Sequence, residues 1–321
     1  MTDAETKSRY PVKKILGWSM LFLALTGFLT ILKFPSNEIE TYAEDMINSN
    51  LSKFGMILVA RESEMGFFPS FSYTFEKVSL FGKNSSDPIS IDLLELSVSY
   101  FALLTGQISG DILLKQDKST ITSNFFSDIP SGKKAKGKFG LKGVQIKNFD
   151  LLKSGIGKSL LPIQLEGIID GDMDLEMDMN DASTLVLTTD IKFQKAKIPT
   201  QKLTNAPVSP LLKSFQIPEI NLSKSIFKLR ARQGTLRFEK VQIGEPTNSD
   251  DDLTADLKGS IRLGKILMAS DLDLNIEYGL SEAIQAKNPL LKSVLGAPGT
   301  NGKYRATVSG TLGAPRANPL K

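Results

Sequence analysis

The clearest repeating pattern in this sequence is Asp170-Gly171-Asp172-Met173-Asp174-Leu175-Glu176-Met177-Asp178. Its carboxylates recur at every second position, and the positions between them hold glycine, methionine and leucine. Successive side chains of a β-strand point to opposite faces of the sheet, so a period of two predicts a strand with one apolar and one solvated face.

The same alternation recurs through most of the chain after residue 54. Apolar and polar residues alternate over 71–76, 108–114, 185–193, 236–243, 253–263 and 271–278. Strands of this kind, separated by polar turns, predict a mainly β domain built on a mostly antiparallel sheet. We assign this β-rich domain to residues 54–321, with a weak boundary near 200–218.

Few helices interrupt the predicted strands. Helical spacing occurs at Phe149 to Leu161, at Pro210 to Phe215 and at Leu280 to Leu295, where Ser281 is placed to cap the first turn. Glycine, proline and charged residues predict three polar loops, at 127–137, 244–252 and 297–303. So few short helices cannot cover a sheet of about ten strands.

A short motif, an apolar residue, any residue and then glycine, recurs within the predicted strands. Its glycines are Gly110, Gly143, Gly167, Gly259 and Gly310. Glycine inside a strand usually marks a bulge, a bend or a close approach of two backbones. Repeated bends would let an elongated sheet curl into a trough.

The acidic strand 170–178 admits a calcium site as an alternative to a solvated face. An EF-hand loop that starts at Asp170 would need Gly and Glu where the chain has Leu175 and Asp181. Same-face residues of a strand also lie about 6.6 Å apart, too far to converge on one ion as a loop does. We therefore favour a solvated face.

Eight lysines occur within 131–158, directly before seven carboxylates within 166–181. We expect the two segments to pair across the sheet, with opposite charges facing each other. Headgroup or partner binding by the lysines is the functional alternative.

Composition removes several classes of chemistry. The 321 residues contain no histidine and no cysteine, which excludes catalytic systems that use histidine or cysteine, imidazole and thiolate metal sites, and disulfides. No phosphate-binding loop, dinucleotide fingerprint or nucleophile elbow occurs. We expect neither an enzyme nor a cofactor.

An apolar segment near the N-terminus predicts a membrane anchor. Residues 15–32 contain no charged residue, and 18 helical residues span about 27 Å, close to the hydrocarbon thickness of a bilayer. Lys13 and Lys14 precede it, so the positive-inside rule leaves 1–14 in the cytoplasm and exports the rest. A cleaved signal peptide is the alternative, but the run is long and lacks a small-residue cleavage site. The anchor residues are Ile15, Trp18, Leu21, Phe22, Leu25, Phe28 and Leu32.

Residues 33–53 follow the anchor and predict an amphipathic helix. Asn37 and Glu40 form a capping pair, and Ile39, Tyr42 and Met46 recur on one face. The polar face is acidic, which favours covering one end of the sheet over lying on anionic headgroups. The exported part carries a net charge of only +2, because residues 1–32 hold four of the basic and two of the acidic residues. Near-neutrality argues against nucleic acid as a partner.

These features together resemble the type II secretion system protein N family, within the AsmA-like group of inner-membrane-anchored periplasmic proteins. The resemblance is carried by the anchor, by Gly55 to Val59, by the strand, turn and strand of Leu93 to Leu114, and by the ending Gly302 to Pro315 with its Gly310-Thr311-Leu312. It implies a single-pass protein of the bacterial inner membrane whose bulk is periplasmic.

The resemblance implies two functions, neither catalytic. The family serves the inner-membrane part of an apparatus that secretes folded proteins, so secretion-system subunits would be partners. The broader group curls its sheets into grooves that hold acyl chains, which implies lipid binding and lipid transport or outer-membrane biogenesis. An apolar sheet face left uncovered by helices would favour the lipid function, whereas a buried face would favour a scaffold.

Overall fold

The structure is a computed structural model. It describes residues 56–67, 70–82, 88–128, 137–154, 164–178, 180–202, 216–246, 250–287 and 302–320, together with isolated positions at 22, 41, 45, 48, 49, 52, 248, 298 and 299. The chain divides into two compact units, Met1–Ile47 and Asn48–Lys321. All strands and the four short helices named below belong to the second unit.

Strands dominate the second unit, as the alternation predicts. They are β1 (Met56–Val59), β2 (Glu62–Gly66), β3 (Phe71–Gly82), β4 (Ile89–Val98), β5 (Gln107–Gln116), β6 (Ser119–Asp128), β7 (Lys138–Asp150), β8 (Glu166–Asp178), β9 (Asp181–Ile198), β10 (Gln201–Lys202), β11 (Gln216–Ile217), β12 (Ile220–Arg232), β13 (Thr235–Ile243), β14 (Leu253–Arg262), β15 (Asp271–Leu280), β16 (Tyr304–Thr311) and β17 (Ala314–Leu320). The mainly β prediction is confirmed.

One antiparallel sheet contains fifteen of the strands in the described part of the chain. Its order is β1, β3, β4, β5, β6, β7, β8, β9, β12, β13, β14, β15, β16 and β17, and β2 also pairs with β3. Strands β10 and β11 pair separately, within the region where we expected a weak boundary. Nearly every strand therefore pairs with its neighbour in sequence, as in a meander.

Four short helices are described: α1 (Tyr100–Leu104), α2 (Leu151–Ser154), a 3-10 helix (Leu267–Ala269) and α3 (Glu282–Lys287). The prediction of a helix from Phe149 was wrong at its start, because Phe149 and Asp150 end strand β7. Phe149 is buried on the apolar face of that strand, and the Asp150 carboxylate accepts a hydrogen bond from the Leu152 N–H at 3.0 Å. The Ser281 cap of α3 is confirmed, since its hydroxyl accepts a hydrogen bond from the Ile284 N–H at 3.3 Å.

A row of apolar residues crosses the sheet from β3 to β16, with each residue in register with the next. This first row consists of Phe75, Leu94, Leu114, Ile121, Ile146, Gly171, Ile191, Phe227, Val241, Leu257, Ile276 and Ala306. Residues in register share a face of the sheet. The alternation found in separate strands thus merges into one apolar face.

A second row runs parallel to the first on the same face. It consists of Phe71, Val98, Gly110, Phe125, Leu141, Leu175, Leu187, Ala231, Leu236, Ile261, Leu272 and Gly310. Four residues separate the rows along β8, from Gly171 to Leu175, which corresponds to about 13 Å. We call the strand ends beyond the first row the first-row end, and those beyond the second row the second-row end.

Fully buried residues of the apolar face concentrate in two regions, and Ser123, Val144 and Thr189 are buried between them. At the first-row end, Val78, Ile89, Phe149 and Leu151 are buried beside Phe75. Towards the second-row end, Ala231, Ile261, Leu263, Leu272 and Leu274 form a buried cluster. Leucines of β9 and Val308 of β16 also pack against this cluster.

Bulges in β7 explain two of the observed backbone conformations. The register with β8 shifts between Leu141 and Val144 and again between Ile146 and Phe149. Gly143 and Asn148, in these two bulges, have φ of 58° and 50°. Gly143 belongs to the recurrent glycine motif, and its left-handed conformation is one that glycine adopts without strain.

The expected pairing of the basic and acidic segments is confirmed for β7 and β8, but among the described residues only one of the expected charge contacts between these strands is made. Lys138 forms an ion pair with Glu176 at 3.3 Å, whereas Lys142 lies over the ring of Phe126 at 4.8 Å. In the bulges, the Gly143 N–H donates a hydrogen bond to the Asp174 carboxylate, and the Asn148 N–H donates one to the Asp170 carboxylate.

Most of the expected membrane anchor lies outside the described residues. This applies to Lys13, Lys14, Ile15, Trp18, Leu21, Leu25, Phe28 and Leu32, whereas Phe22 is described as an exposed helical residue. In the part of the chain that the structure describes, no helix has the length and apolar character needed to cross a membrane. Within the predicted amphipathic helix 33–53, the described residues Thr41, Asp45, Asn48, Ser49 and Ser52 are helical.

Candidate functional site

The centre of the apolar face, between its two buried regions, is the candidate functional site. It consists of the half-buried residues Leu94, Leu96, Ile112, Leu114, Ile121, Phe125, Leu141, Ile146, Met173, Leu175, Ile191 and Phe227. Apolar side chains that remain in contact with water on the concave or open side of a sheet mark a binding surface. We call this surface the open apolar face.

Among the described residues, the short helices leave the open apolar face partly in contact with solvent. Helix α1 packs on β5, and α2 packs on β4, β7 and β8. Each lies where these strands end, because α1 connects β4 to β5 and α2 follows β7 directly. The partial exposure of the residues in the middle of the strands is consistent with this arrangement.

The dimensions of the open apolar face suit a long apolar ligand. Neighbouring strands lie about 4.8 Å apart, so the seven strands from β4 to β12 that carry this face cover roughly 29 Å. One acyl chain occupies half of the hydrocarbon core of a bilayer, about 15 Å. The face therefore has room for more than one acyl chain along its length.

Polar residues on this face are satisfied by the backbone of the sheet itself. The Thr189 hydroxyl is within 3.5 Å of the Phe227 carbonyl oxygen and accepts a hydrogen bond from the Leu229 N–H at 3.3 Å. The Ser225 hydroxyl accepts one from the Gly244 N–H at 3.2 Å. These hydroxyl groups consequently do not break the apolar character of the face.

The opposite face carries the charges. Lys228 pairs with Asp190 at 2.6 Å, and Lys197 pairs with Glu219 at 3.0 Å. All four side chains are more than a third exposed, so each pair contributes little stability. This face is the solvated side of the sheet, as the alternation predicts.

The acidic strand lies on this solvated face. Asp170 and Asp174 bind backbone amides of β7, and Asp170 also accepts a hydrogen bond from the Gln194 side chain at 3.0 Å. Within the described residues, no group of three or more carboxylates is arranged to hold a metal ion. The carboxylates of Asp170 and Asp174 therefore stabilise the bulges of β7 by accepting hydrogen bonds from their backbone amides.

Asp251 organises a structural site that the sequence pattern did not single out. Its buried carboxylate accepts hydrogen bonds from the Ser223 hydroxyl at 2.8 Å, from the Ser223 N–H and from the Glu245 N–H. The neighbouring Asp252 accepts a hydrogen bond from the Asn221 N–H at 2.9 Å. The acidic run at 250–252 therefore ties the predicted loop to β12.

Register across the sheet is the feature of the site that sequence reasoning missed. The alternation in each strand identifies which residues share a face, but it does not specify which residue of the next strand lies beside them. The pairing of β9 with β12 skips the sequence from 199 to 219, and no local signal identifies that partner. Comparison with protein-family models, curated proteins and solved structures finds no match to this chain.

Proposed function

We propose that this chain is a non-enzymatic protein, anchored in the bacterial inner membrane by residues 15–32, whose periplasmic sheet binds lipid acyl chains on the open apolar face. The observation that carries the proposal is the uninterrupted first row, whose central residues from Leu94 to Phe227 are only half-buried. A globular scaffold would cover such a face with helices or with a second sheet.

Curling of the sheet into a trough is part of the proposal. Helix α2 contacts both β4 and β8, which are four strands apart in the sheet. In a flat sheet these strands would lie roughly 19 Å apart, whereas a helix is only about 10 Å wide. Contact with both strands supports a sheet that bends around α2 and surrounds part of the open apolar face.

The bulges and the strand glycines supply the bending. Register shifts occur between β6 and β7, between β7 and β8, between β8 and β9, between β12 and β13, and between β13 and β14. Each bulge bends its strand and increases the local twist. Bending distributed over five pairs of strands favours a trough over a flat sheet.

A lipid-binding trough needs no catalytic group, which agrees with the absence of histidine and cysteine. Its walls would exclude water from the acyl chains, while the charged opposite face keeps the domain soluble in the periplasm. The bound lipid would be in transit from the inner membrane and would serve outer-membrane biogenesis, as the resemblance to the AsmA-like group implies.

Participation in the type II secretion apparatus is a second candidate, which the edges of the sheet favour. Strand β17 forms one edge, and its outer side has no partner strand among the described residues. An extended segment of another protein could add to such an edge through main-chain hydrogen bonds. Pro315 and Pro319 in β17 reduce the number of donors that are available for this.

Recovery of the intact protein from native membranes separates the two functions. We would crosslink gently, purify the full chain, and identify both the proteins and the lipids by mass spectrometry. Acyl-chain binding predicts phospholipid or lipopolysaccharide in stoichiometric amounts. It also predicts their loss in the double variant Ile146→Asp/Leu175→Asp, with retention in the solvated-face control Gln145→Asp. Secretion-machine subunits without lipid would contradict lipid binding and support the second candidate.

A further inference from the structure

Two turns at the second-row end of the sheet expose large apolar side chains. Phe101 of α1 is 82% exposed, and in the turn between β14 and β15 Ile266 is 69% and Met268 is 64% exposed. Tyr100 and Leu267 beside them are also exposed. These side chains belong neither to the buried clusters nor to the open apolar face.

Both turns lie at the same end of the sheet. Helix α1 comes after Val98 at the end of β4, and the 3-10 helix comes after Ile261 at the end of β14. Both Val98 and Ile261 are residues of the second row. The chain enters the sheet at the other end, because Met56 of β1 is in register with Gly82 at the first-row end. The exposed turns thus lie at the opposite end of the sheet from Met56.

The turn between β14 and β15 is held rigidly by main-chain hydrogen bonds. Lys265 accepts a hydrogen bond from the Ala182 N–H at 3.0 Å, and Met268 accepts one from the Gly313 N–H at 2.8 Å. The hydroxyl of the fully buried Ser270 accepts another from the Gly264 N–H at 3.1 Å. A backbone fixed in this way keeps the side chains of Ile266 and Met268 in solvent.

The α1 turn is fixed as well. The Tyr100 hydroxyl donates a hydrogen bond to the Phe67 carbonyl at 2.7 Å, and the Thr105 N–H donates one to the Ala102 carbonyl at 3.0 Å. Neither α1 nor the 3-10 helix contains an acidic residue. Lys265 and Arg262 are exposed beside the second turn, together with Asp271. The α1 turn is thus uncharged, and the second turn carries two cationic side chains against one carboxylate.

We propose that these two turns insert into the outer surface of the same bilayer that holds the anchor, an inference that rests on the membrane anchoring proposed above. Each turn exposes on the order of 300 Å² of apolar surface, below the roughly 1,000 Å² that a specific protein interface buries. Small apolar tips, one of them beside the cationic Arg262 and Lys265, suit the headgroup and acyl boundary of a bilayer.

Because the predicted membrane anchor belongs to the same chain, a small contact between the turns and the bilayer is sufficient. A membrane anchor in the same chain keeps the turns at a high effective concentration near that surface, and weak insertion then suffices. The same turns would bind a separate membrane only weakly.

The native lack of cysteine allows a direct test by single-site labelling. We would prepare the full chain with Phe101→Cys, Met268→Cys or the control Lys118→Cys, each labelled with an environment-sensitive fluorophore. Lys118 is exposed in the turn between β5 and β6, at the first-row end. The proteins are reconstituted in vesicles of phosphatidylethanolamine and phosphatidylglycerol, with a lipid-borne quencher either in the same vesicles or in added vesicles without protein.

Insertion predicts a several-fold higher and blue-shifted emission at positions 101 and 268 than at 118, with quenching only by lipids of the same vesicle. Emission at 101 and 268 equal to that at 118 would overturn the proposal, and so would quenching by the added vesicles alone. The lipid recovered with the same preparations tests the acyl-chain function separately. Lipid recovery without insertion would refute membrane insertion of the turns and support acyl-chain binding on the open apolar face. Insertion without lipid recovery would support insertion of the turns and refute acyl-chain binding.

Discussion

The carboxylate of Asp174 on β8 accepts a hydrogen bond from the backbone N–H of Gly143 on β7 at 2.7 Å. Gly143 lies in a bulge and has a left-handed backbone, so its N–H does not take part in the regular ladder. Asp170 bonds the Asn148 N–H in the next bulge in the same way, at 2.8 Å. Acidic residues of one strand thus stabilise the bends of its neighbour.

We expect Asp174→Ala to lower the free energy of unfolding by about 1 kcal/mol, because the Gly143 N–H loses its charged acceptor. Urea unfolding followed by circular dichroism measures the change. Asp172, on the same face of β8 and exposed, is the matched control. Asp172→Ala should change the free energy by no more than about 0.5 kcal/mol. Equal losses in the two variants would show that net charge, and not the bond to the bulge, is responsible.

Gly259 allows a close approach of the β14 and β15 backbones. Its φ is 133°, and an added Cβ would collide with the Asp273 carbonyl oxygen. We expect Gly259→Ala to cost about 1–3 kcal/mol of stability, from backbone strain and displacement of β15. Gly264→Ala is the control, since the nearest atoms to its added Cβ are 3.5 Å away. A thermal unfolding midpoint that is unchanged in Gly259→Ala would contradict this geometry.

Asp251 and Asp250 differ in burial although they are adjacent. Asp251 is buried and accepts hydrogen bonds from two backbone amides and from the Ser223 hydroxyl, whereas Asp250 is exposed. Replacing Asp251 by Ala leaves these donors without their acceptor and should cost about 3 kcal/mol. Asp250→Ala should cost less than about 0.5 kcal/mol. Chemical unfolding of both variants measures the difference, and similar losses would contradict the role of Asp251.

Tyr278 and Tyr304 stack with ring centroids 5.4 Å apart on the apolar face of β15 and β16. Burial, and secondarily Tyr304, raises the pKa of the Tyr278 phenol above its usual value. A raised pKa in the folded state means that stability is retained below the unfolded pKa of about 10 and lost as the pH rises beyond it. Tyr278→Phe should therefore weaken the loss of stability above this pH. The same pH dependence in both proteins would contradict the prediction.

Local periodicity was sufficient to predict the strands, the apolar and solvated faces, and the pairing of the basic segment with the acidic one. It was also sufficient to place glycines such as Gly143 at bulges. Each of these features depends on residues within one strand or in two consecutive strands, where the alternation and turn residues act directly.

Features that depend on distant strands could not be predicted in the same way. Leu187 of β9 lies beside Ala231 of β12, and only the register of the assembled sheet establishes this. The charge contacts differed for a related reason, because bulges turned amides toward Asp170 and Asp174 in place of the expected lysines. Phe149 was assigned to a helix because its helical spacing continues beyond Asp150, while burial on the sheet keeps it in β7.

Crosslinking from single positions of β7 in living cells would show directly whether the open apolar face binds acyl chains. A photoreactive amino acid is placed at Ile146 on the open apolar face or at the adjacent Gln145 on the solvated face, and adducts are identified by mass spectrometry. Acyl-chain binding predicts lipid adducts from position 146 and none from 145. Absence of lipid from both positions, or protein adducts from 146 in place of lipid, would contradict the proposed function.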